Sequence, residues 1–332
     1  MVYTDFKDYF TSLAEPRKQE VVGELIQILE KGEQILSADQ QIRVCPHCAS
    51  DKIRANGKTK YLAQKYYCNT CKKHFTDNTN KVWSFVKKKE DMKTYIYGLL
   101  SGYSLRRNAS ECGISLNTSF IWRHKLLRCF DNMSAGEYAG ILEIDELFFP
   151  LSQKGSRKLS GARGTRRSRS KKRGISQEQV AVIATVDRNG NKGLQVAKLG
   201  QITKESVARV LDGKIEKVEV MCSDKHVSYD SYTKDKQVKH KTIMASHGQR
   251  ITEKIYHIQN VNNTDKRIRD FMRPMNGVAT KYLQSYLNWF LVLEKLKNQT
   301  NRLKQLGVII FSSTQALELY RSGALLQHLL RT

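Results

Sequence analysis

Two short cysteine pairs, Cys45-Pro-His-Cys48 and Cys68-Asn-Thr-Cys71, constrain this chain more than any other feature. Each pair brackets two residues, and nineteen residues lie between the pairs. That spacing suits a tetrahedral four-thiolate zinc site. Each knuckle turns two thiolates toward one ion, and the intervening segment is long enough to form a hairpin and return. A disulfide framework belongs to small secreted chains. This chain has 332 residues and carries Asp5, Asp8 and Glu15 early, with no apolar leader core. A redox pair would need no second copy. One structural Zn2+ is expected on Cys45, Cys48, Cys68 and Cys71, with His47 and His74 as bystanders. Cys112, Cys129 and Cys222 sit in apolar contexts and read as buried core.

The balance of charge points to a partner. Lys and Arg number 57 against 32 Asp and Glu, a net charge of +25. Such a surplus makes a polyanion the default ligand, because neutralising phosphates releases condensed counterions. A membrane is not expected, since no stretch approaches about twenty apolar residues and no amphipathic anchor stands out. Nor is a small-molecule substrate. Reduced cysteines with a zinc site fit the cytoplasm or nucleoid.

Along the chain the pattern is that of an α/β multidomain protein. Residues 1–40 read as an N-terminal helical segment broken near Pro16, and 41–82 as the zinc ribbon. Residues 88–132 have helical periodicity in three pieces. A small residue in the middle piece, the turn at Gly113 and a polar start to the following basic helix predict a helix-turn-helix DNA-binding region. Asn117, Thr118, Arg123 and Lys125 would then reach bases or phosphates. From 138 to 300 strands and helices alternate, and 301–332 reads as a C-terminal helical segment. Ile141–Phe149 alternates apolar and acidic residues as a half-buried strand does, and Val180–Val186 is a second strand. A turn at 187–191 leads into a returning strand over 193–199, a helix over 203–213 and a strand over Val218–Asp224. Residues 153–176 form a basic insertion with ten Lys or Arg between Lys154 and Arg173, interleaved with Gly and Ser. It reads as a phosphate-tracking loop, with Arg166, Arg167, Arg169, Lys171, Lys172 and Arg173 as DNA contacts.

Asp145 stands in mid-strand, with Glu143 on the same face and Glu146 beside it. A carboxylate among Ile, Leu and Phe is costly unless it binds something. Asp224 ends another strand. Two such carboxylates on neighbouring strands make a site of the Mg2+ type, which engages substrate phosphates. Paired ions would activate the attacking oxygen and stabilise the leaving oxygen at phosphorus.

The order of Asp strand, hairpin strands, helix, strand-end Asp and polar helix matches a ribonuclease-H-like core. Together with the four-cysteine ribbon, Ser104-Leu105-Arg106 through Trp122-Arg123-His124-Lys125, Glu143-Ile144-Asp145-Glu146, Ser223-Asp224, His257 through Asn262 and Gly277 through Leu283, it resembles the insertion-sequence transposases of the fifteen-ninety-five group. Their transposase domain is often called ISXO-two-like. The resemblance implies a DDE-type enzyme that binds terminal inverted repeats on double-stranded DNA and uses Mg2+ or Mn2+, as a pair of ions, to cleave ends and join them to target DNA. It further implies a homo-oligomer on DNA and a bacterial-type, nucleoid-associated location. Asp145 and Asp224 match the first two metal-site residues. The third falls on Asn262, where Glu is usual, and Asp265 one helical turn later is its rival. Arg269 stands where a basic residue is expected, and His257 is either a DNA contact or a satisfied surface histidine. A DNA-binding regulator with a decayed nuclease core and a host nuclease for structured nucleic acid are the alternatives.

Overall fold

The computed structural model describes residues 14–17, 44–60, 63–76, 79, 86, 91–131, 136–156, 174–243, 251–253 and 255–312. The expected N-terminal helices apart from residues 14–17, Arg166 to Arg173 of the basic insertion, and residues 313–332 lie outside the described residues. The chain divides into two compact units, Met1–Thr79 and Asn80–Thr332.

In the first unit three short antiparallel strands, β1 (Ile53–Lys58), β2 (Gln64–Cys68) and β3 (His74–Thr76), form a ribbon. Strand alternation sorts its residues onto two faces. Tyr66 stacks on Phe75 with centroids 5.5 Å apart, beside Cys45, Cys68 and Ile53 on the inner face. Arg54, Tyr67 and His74 are direct cross-strand neighbours on the other face. There the Arg54 guanidinium lies 5.1 Å from the centre of the Tyr67 ring, and His74 lies 4.9 Å from it. So little apolar area is buried that the ribbon needs a further staple.

The second unit is built on a five-stranded sheet. Three helices come first: α1 (Met92–Leu100), α2 (Leu105–Glu111) and α3 (Leu116–Leu127). Ser104 and Ser115 cap α2 and α3 by accepting from the Arg107 and Thr118 amides, which is why these helices start where they do. Then follow β4 (Ala139–Pro150), β5 (Gln179–Asp187), β6 (Lys192–Leu199), α4 (Lys204–Leu211), β7 (Lys217–Ser223), α5 (Val227–Lys236) and β8 (Lys239–Thr242). Helices α6 (Gln259–Met272), α7 (Thr280–Leu296) and α8 (Arg302–Ser312) complete the unit. The sheet order is β6-β5-β4-β7-β8; β4, β5 and β6 pair antiparallel, whereas β7 lies parallel to β4 and β8 parallel to β7.

Alternation along β4 and β5 feeds two cores, one on each face of the sheet. Leu142, Ile144, Ala181 and Ile183 meet Val207 and Leu211 of α4 and Tyr229 and Tyr232 of α5. Leu147, Val180, Val182 and Ala184 meet Val261 and Ile268 of α6 and a large cluster that includes Trp289 of α7. Tyr95, Leu99, Trp122 and Leu126 of α1 and α3 belong to that same second cluster, and the Trp289 indole N–H donates to the Leu99 carbonyl at 3.1 Å. Helices α1 and α3, from the stretch expected as a region of its own, therefore share one core with the sheet. No helix among the described residues is long and apolar enough to cross a membrane.

Candidate active site

The central acids come from three elements. The parallel ladder between β4 and β7 pairs Glu143 with Cys222. Continuing it by two residues sets Asp145 beside Asp224, on strands about 4.8 Å apart. Both carboxylates are half-buried. Helix α6 passes over the same point and brings Asp265, also half-buried, into electrostatic contact with Asp145. Burial, reinforced by the charges of Glu146 and Asp224, pushes the Asp145 carboxyl up to about 7, against a backbone amide that favours its ionised form. Burial and the Asp145 charge push Asp265 up to about 7 as well. Arg269, exposed one turn beyond Asp265, pulls both down. One carboxylate oxygen of Asp224 and one of Asp265 are buried with no hydrogen-bond partner. Unpaired buried anionic oxygens are unfavourable alone and are what a hard cation coordinates. An all-oxygen donor set of this kind fits Mg2+ or Mn2+.

Of the two rivals for the third position, Asp265 is the residue in electrostatic contact with Asp145, while the Asn262 side chain is exposed. Three residues along a helix rotate the side chain by about 60° short of a full turn, enough to separate the two.

Glu146 points to the opposite side of β4 from Asp145. The buried Tyr229 hydroxyl donates to its carboxylate at 2.8 Å, and burial raises its pKa, aided by the charges of Asp224 and Asp265. Its place beside Asp145 was visible in the sequence, but its tyrosine partner, 83 residues away, was not.

Glu143 differs from both. It is fully buried, yet it accepts from the Asn260 amide and side chain, both at 2.8 Å, and from the Val261 amide at 3.1 Å. Arg188 lies 3.1 Å from it and His257 3.3 Å. Arg188 also donates to His257 Nε2 at 2.8 Å. The Gln259 amide donates to His257 Nδ1 at 3.3 Å, so the ring joins Arg188 to the start of α6 beside Glu143. His257 is thus a half-buried histidine with both ring nitrogens partnered.

The four cysteines form the second cluster. The Sγ atoms of Cys45 and Cys71 are 3.7 Å apart, and those of Cys48 and Cys68 are 3.6 Å apart. All four lie within 4.8 Å of one another. A tetrahedron with metal–sulfur bonds of about 2.3 Å has edges of about 3.8 Å, so this arrangement can hold a metal ion. The two knuckles repeat in detail. Ala49 and Lys72 each donate to the carbonyl of the first cysteine of their pair, at 2.8 and 3.0 Å, and both have φ of 57°. His47 and His74 are not part of the cluster. Among the described residues, no other set of three His, Cys, Asp or Glu ligands is drawn so close. The acids of the sheet are held more openly.

The residues expected to touch DNA divide. Asn117 is exposed at the start of α3, and Thr118 and Lys125 are half-buried. Arg123 does not face outward and is a correction. It is fully buried, donates to the Tyr103 carbonyl at 2.7 Å and lies 4.7 Å from the Trp289 ring centre. Helix α3 packs its second half onto α7, and the guanidinium is consumed in that contact.

Residues 137–291, which contain Asp145, Asp224 and Asp265, match the ISXO2-like transposase domain. That match spans 155 of the 332 residues, just under half of the chain. The basic insertion and the strand carrying Asp145 both fall inside the transposase domain, whereas the ribbon falls outside it. Similar solved structures include a pre-cleavage Mos1 transpososome, at 10% identity and TM-score 0.17 over 69% of this chain and 81% of that one. The Mos1 mariner paired end complex with Mn is 12% identical at TM-score 0.18, over 69% and 81%. Overlap that loose carries no argument about the transposase domain's geometry. No curated protein matches the chain.

Proposed function

We propose that the chain is a DDE-type transposase whose acid set is Asp145, Asp224 and Asp265, acting on the DNA ends of its own element. The observation that carries this reading is the meeting of those three carboxylates, two of them with unpartnered buried oxygens, inside a transposase domain. The element order supports a ribonuclease-H-like core: the Asp145 strand, a hairpin, a helix, then a strand ending at Asp224. When bound, a pair of Mg2+ or Mn2+ ions supplies Lewis acidity at the scissile phosphate. Asp145, Asp224 and Asp265 would hold them. Arg269, at the exposed rim, would contact a non-bridging phosphate oxygen. The half-buried acids leave the site open to a polymer that must lie across it.

The ribbon supplies recognition in this reading, with one Zn2+ on its four thiolates. From Val44 to Thr76 it has seven Lys or Arg against one acid, Asp51. Its outer row of Arg54, Tyr67 and His74 offers charge and ring faces to a duplex groove that admits a β-ribbon.

The test uses a duplex oligonucleotide carrying the repeat that flanks the gene. With Mg2+ or Mn2+ the protein should nick it to leave a 3′-OH, and Asp145→Ala, Asp224→Ala and Asp265→Ala should each abolish the nick. Sequence-specific binding with no nick under either ion would make it a DNA-binding regulator instead. Preference for junctions over the repeat would make it a host nuclease.

A further inference from the structure

We infer that Glu143 is a positioning residue that docks helix α6 onto strand β4 in the register that brings Asp265 to Asp145. The inference rests on the acid set proposed above.

Helix α6 begins at Ile258 as N-cap with no side-chain cap of its own. The first helical amide, Gln259, donates to His257 Nδ1 at 3.3 Å; the next two would be orphans, and orphan amides at a helix start carry partial positive charge. Glu143 reaches them from β4, its Oε2 accepting from the second and third helical amides, Asn260 and Val261. Its Oε1 takes the Asn260 side-chain amide and faces Arg188 and His257. Both oxygens are therefore used, and the side chain is fully buried. That leaves no lone pair facing the site, in contrast to Asp224 and Asp265 with their unpartnered oxygens. Glu143 is saturated where the other acids are vacant, so it anchors and they bind.

The spacing shows what the anchor sets. From Glu143 to Asp145 the strand advances two residues, about 6.7 Å. From the capped amides at 260 and 261 to Asp265 the helix advances four to five residues, about 6–7.5 Å. With the helix start pinned at Glu143, Asp265 falls level with Asp145. Arg188 ties the same point to the β5–β6 turn, since its guanidinium also donates to the Ile255 carbonyl at 3.1 Å. A fully buried carboxylate so placed fixes strand, turn and helix together.

The experiment measures Mn2+ affinity of the full chain by the paramagnetic signal of free Mn2+, with the melting temperature of the same samples. Glu143→Gln, which keeps one acceptor oxygen but loses the charge, should weaken Mn2+ at the acid site at least tenfold. Its duplex affinity should be unchanged, and in the nicking assay kcat should fall with KM unchanged. Glu143→Asp should recover part of the loss. Glu137→Gln, the same charge change at an exposed surface pair with Lys217, should leave Mn2+ affinity unchanged. Should Glu143→Gln fail to fold, Asn260→Ala removes one tie from an exposed position and should weaken Mn2+ about threefold. That factor is small on the scale of 1.4 kcal/mol per tenfold. Wild-type affinity in Glu143→Gln, or in Asn260→Ala where that stands in for it, would overturn the inference. So would a loss matched by Glu137→Gln. If Asp145→Asn and Asp265→Asn also keep wild-type Mn2+ affinity, the acid set itself is wrong. If they lose it while Glu143→Gln does not, only the anchoring role fails.

Discussion

The two clusters of potential ligands are built on opposite principles. The four sulfurs are drawn within 4.8 Å of one another by two turns of repeated geometry, close in sequence, and each turn carries half the site. The acids come from two strands and a helix spread over 120 positions, from Asp145 to Asp265. They are half-buried, and Asp224 and Asp265 each retain an unpartnered oxygen. A closed tetrahedron of soft ligands leaves no position for a substrate, whereas an open set of hard ligands does. The difference teaches where stability comes from in each unit. The ribbon has little core and would lean on an ion held by its four thiolates, while the sheet unit is folded by packing and presents its acids at some electrostatic cost.

Stripping the ribbon's metal should produce the largest effect. Structural zinc contributes about 10 kcal/mol or more to small domains of this kind, so chelation or Cys68→Ser should unfold the ribbon. The sheet unit should keep its melting transition, and calorimetry would show one transition lost and the other retained. Loss of both would mean that the two units do not stand on separate supports.

Next comes the third acid. Asp265→Asn should reduce nicking by about a thousandfold or more, roughly 4 kcal/mol of transition-state stabilisation. Asn262→Ala should change it by less than about fivefold, about 1 kcal/mol. The reverse ranking would return Asn262 to the site.

The contrast also explains what could be read from the sequence. The cysteine spacing is local, and a local site is legible because the turn that builds it lies within the motif. Strands at Ile141–Phe149, Val180–Val186 and Val218–Asp224 were legible from alternation, and they appear within a few residues of those bounds. The edge strand β8, Lys-His-Lys-Thr, was not, because three of its four residues are basic and it is held by pairing with β7 rather than by a buried apolar face. Arg123 misled because a basic residue on a helix after a turn looks outward-facing. Only the aromatic Trp289, 166 positions away, shows that its guanidinium has a ring to rest on. The choice between Asn262 and Asp265 turns on helix rotation against a strand, which spacing alone does not fix.

Packing in the sheet unit can be struck without touching either cluster. A Cβ on Gly98 of α1 would lie 2.0 Å from Asn108 Oδ1, and Asn108 is fully buried with its amide donating to the Tyr95 carbonyl. Gly98→Ala should therefore destabilise the sheet unit by about 1–3 kcal/mol in denaturant unfolding, with zinc content unchanged. A neutral result would mean that α1 and α2 can separate without cost.

The clusters should also respond differently to pH. Asp145 and Asp265 titrate near 7 in the folded chain, each raised first by burial. An unfolded aspartate titrates near 4, so between about pH 4 and 7 the folded state holds protons the unfolded state has lost. Cation-free sheet-unit stability should therefore fall as pH rises through that window and level off above it. Mn2+ affinity should move the opposite way, rising from pH 6 to 8 as the carboxylates ionise. Protons also compete for the ribbon's thiolates, but structural zinc binds by about 10 kcal/mol or more, so a zinc ion there should still be retained at pH 6. Equal Mn2+ affinity at pH 6 and 8 would refute the raised acids.

The smallest effect lies in the knuckles. Lys72 holds φ at 57°, a conformation that costs an L-residue about 1–2 kcal/mol and glycine almost nothing. Glycine gives back about 0.5–1 kcal/mol through its freer unfolded chain, so Lys72→Gly should gain about 0.5–1 kcal/mol net. Read as zinc affinity, that is a gain of about two- to fivefold. Lys72→Val should lose affinity instead, because a β-branched side chain tolerates this conformation worst. If both substitutions weaken zinc equally, the lysine side chain rather than the backbone holds the turn. The ribbon's metal site would then depend on side-chain contacts, as the acid site does.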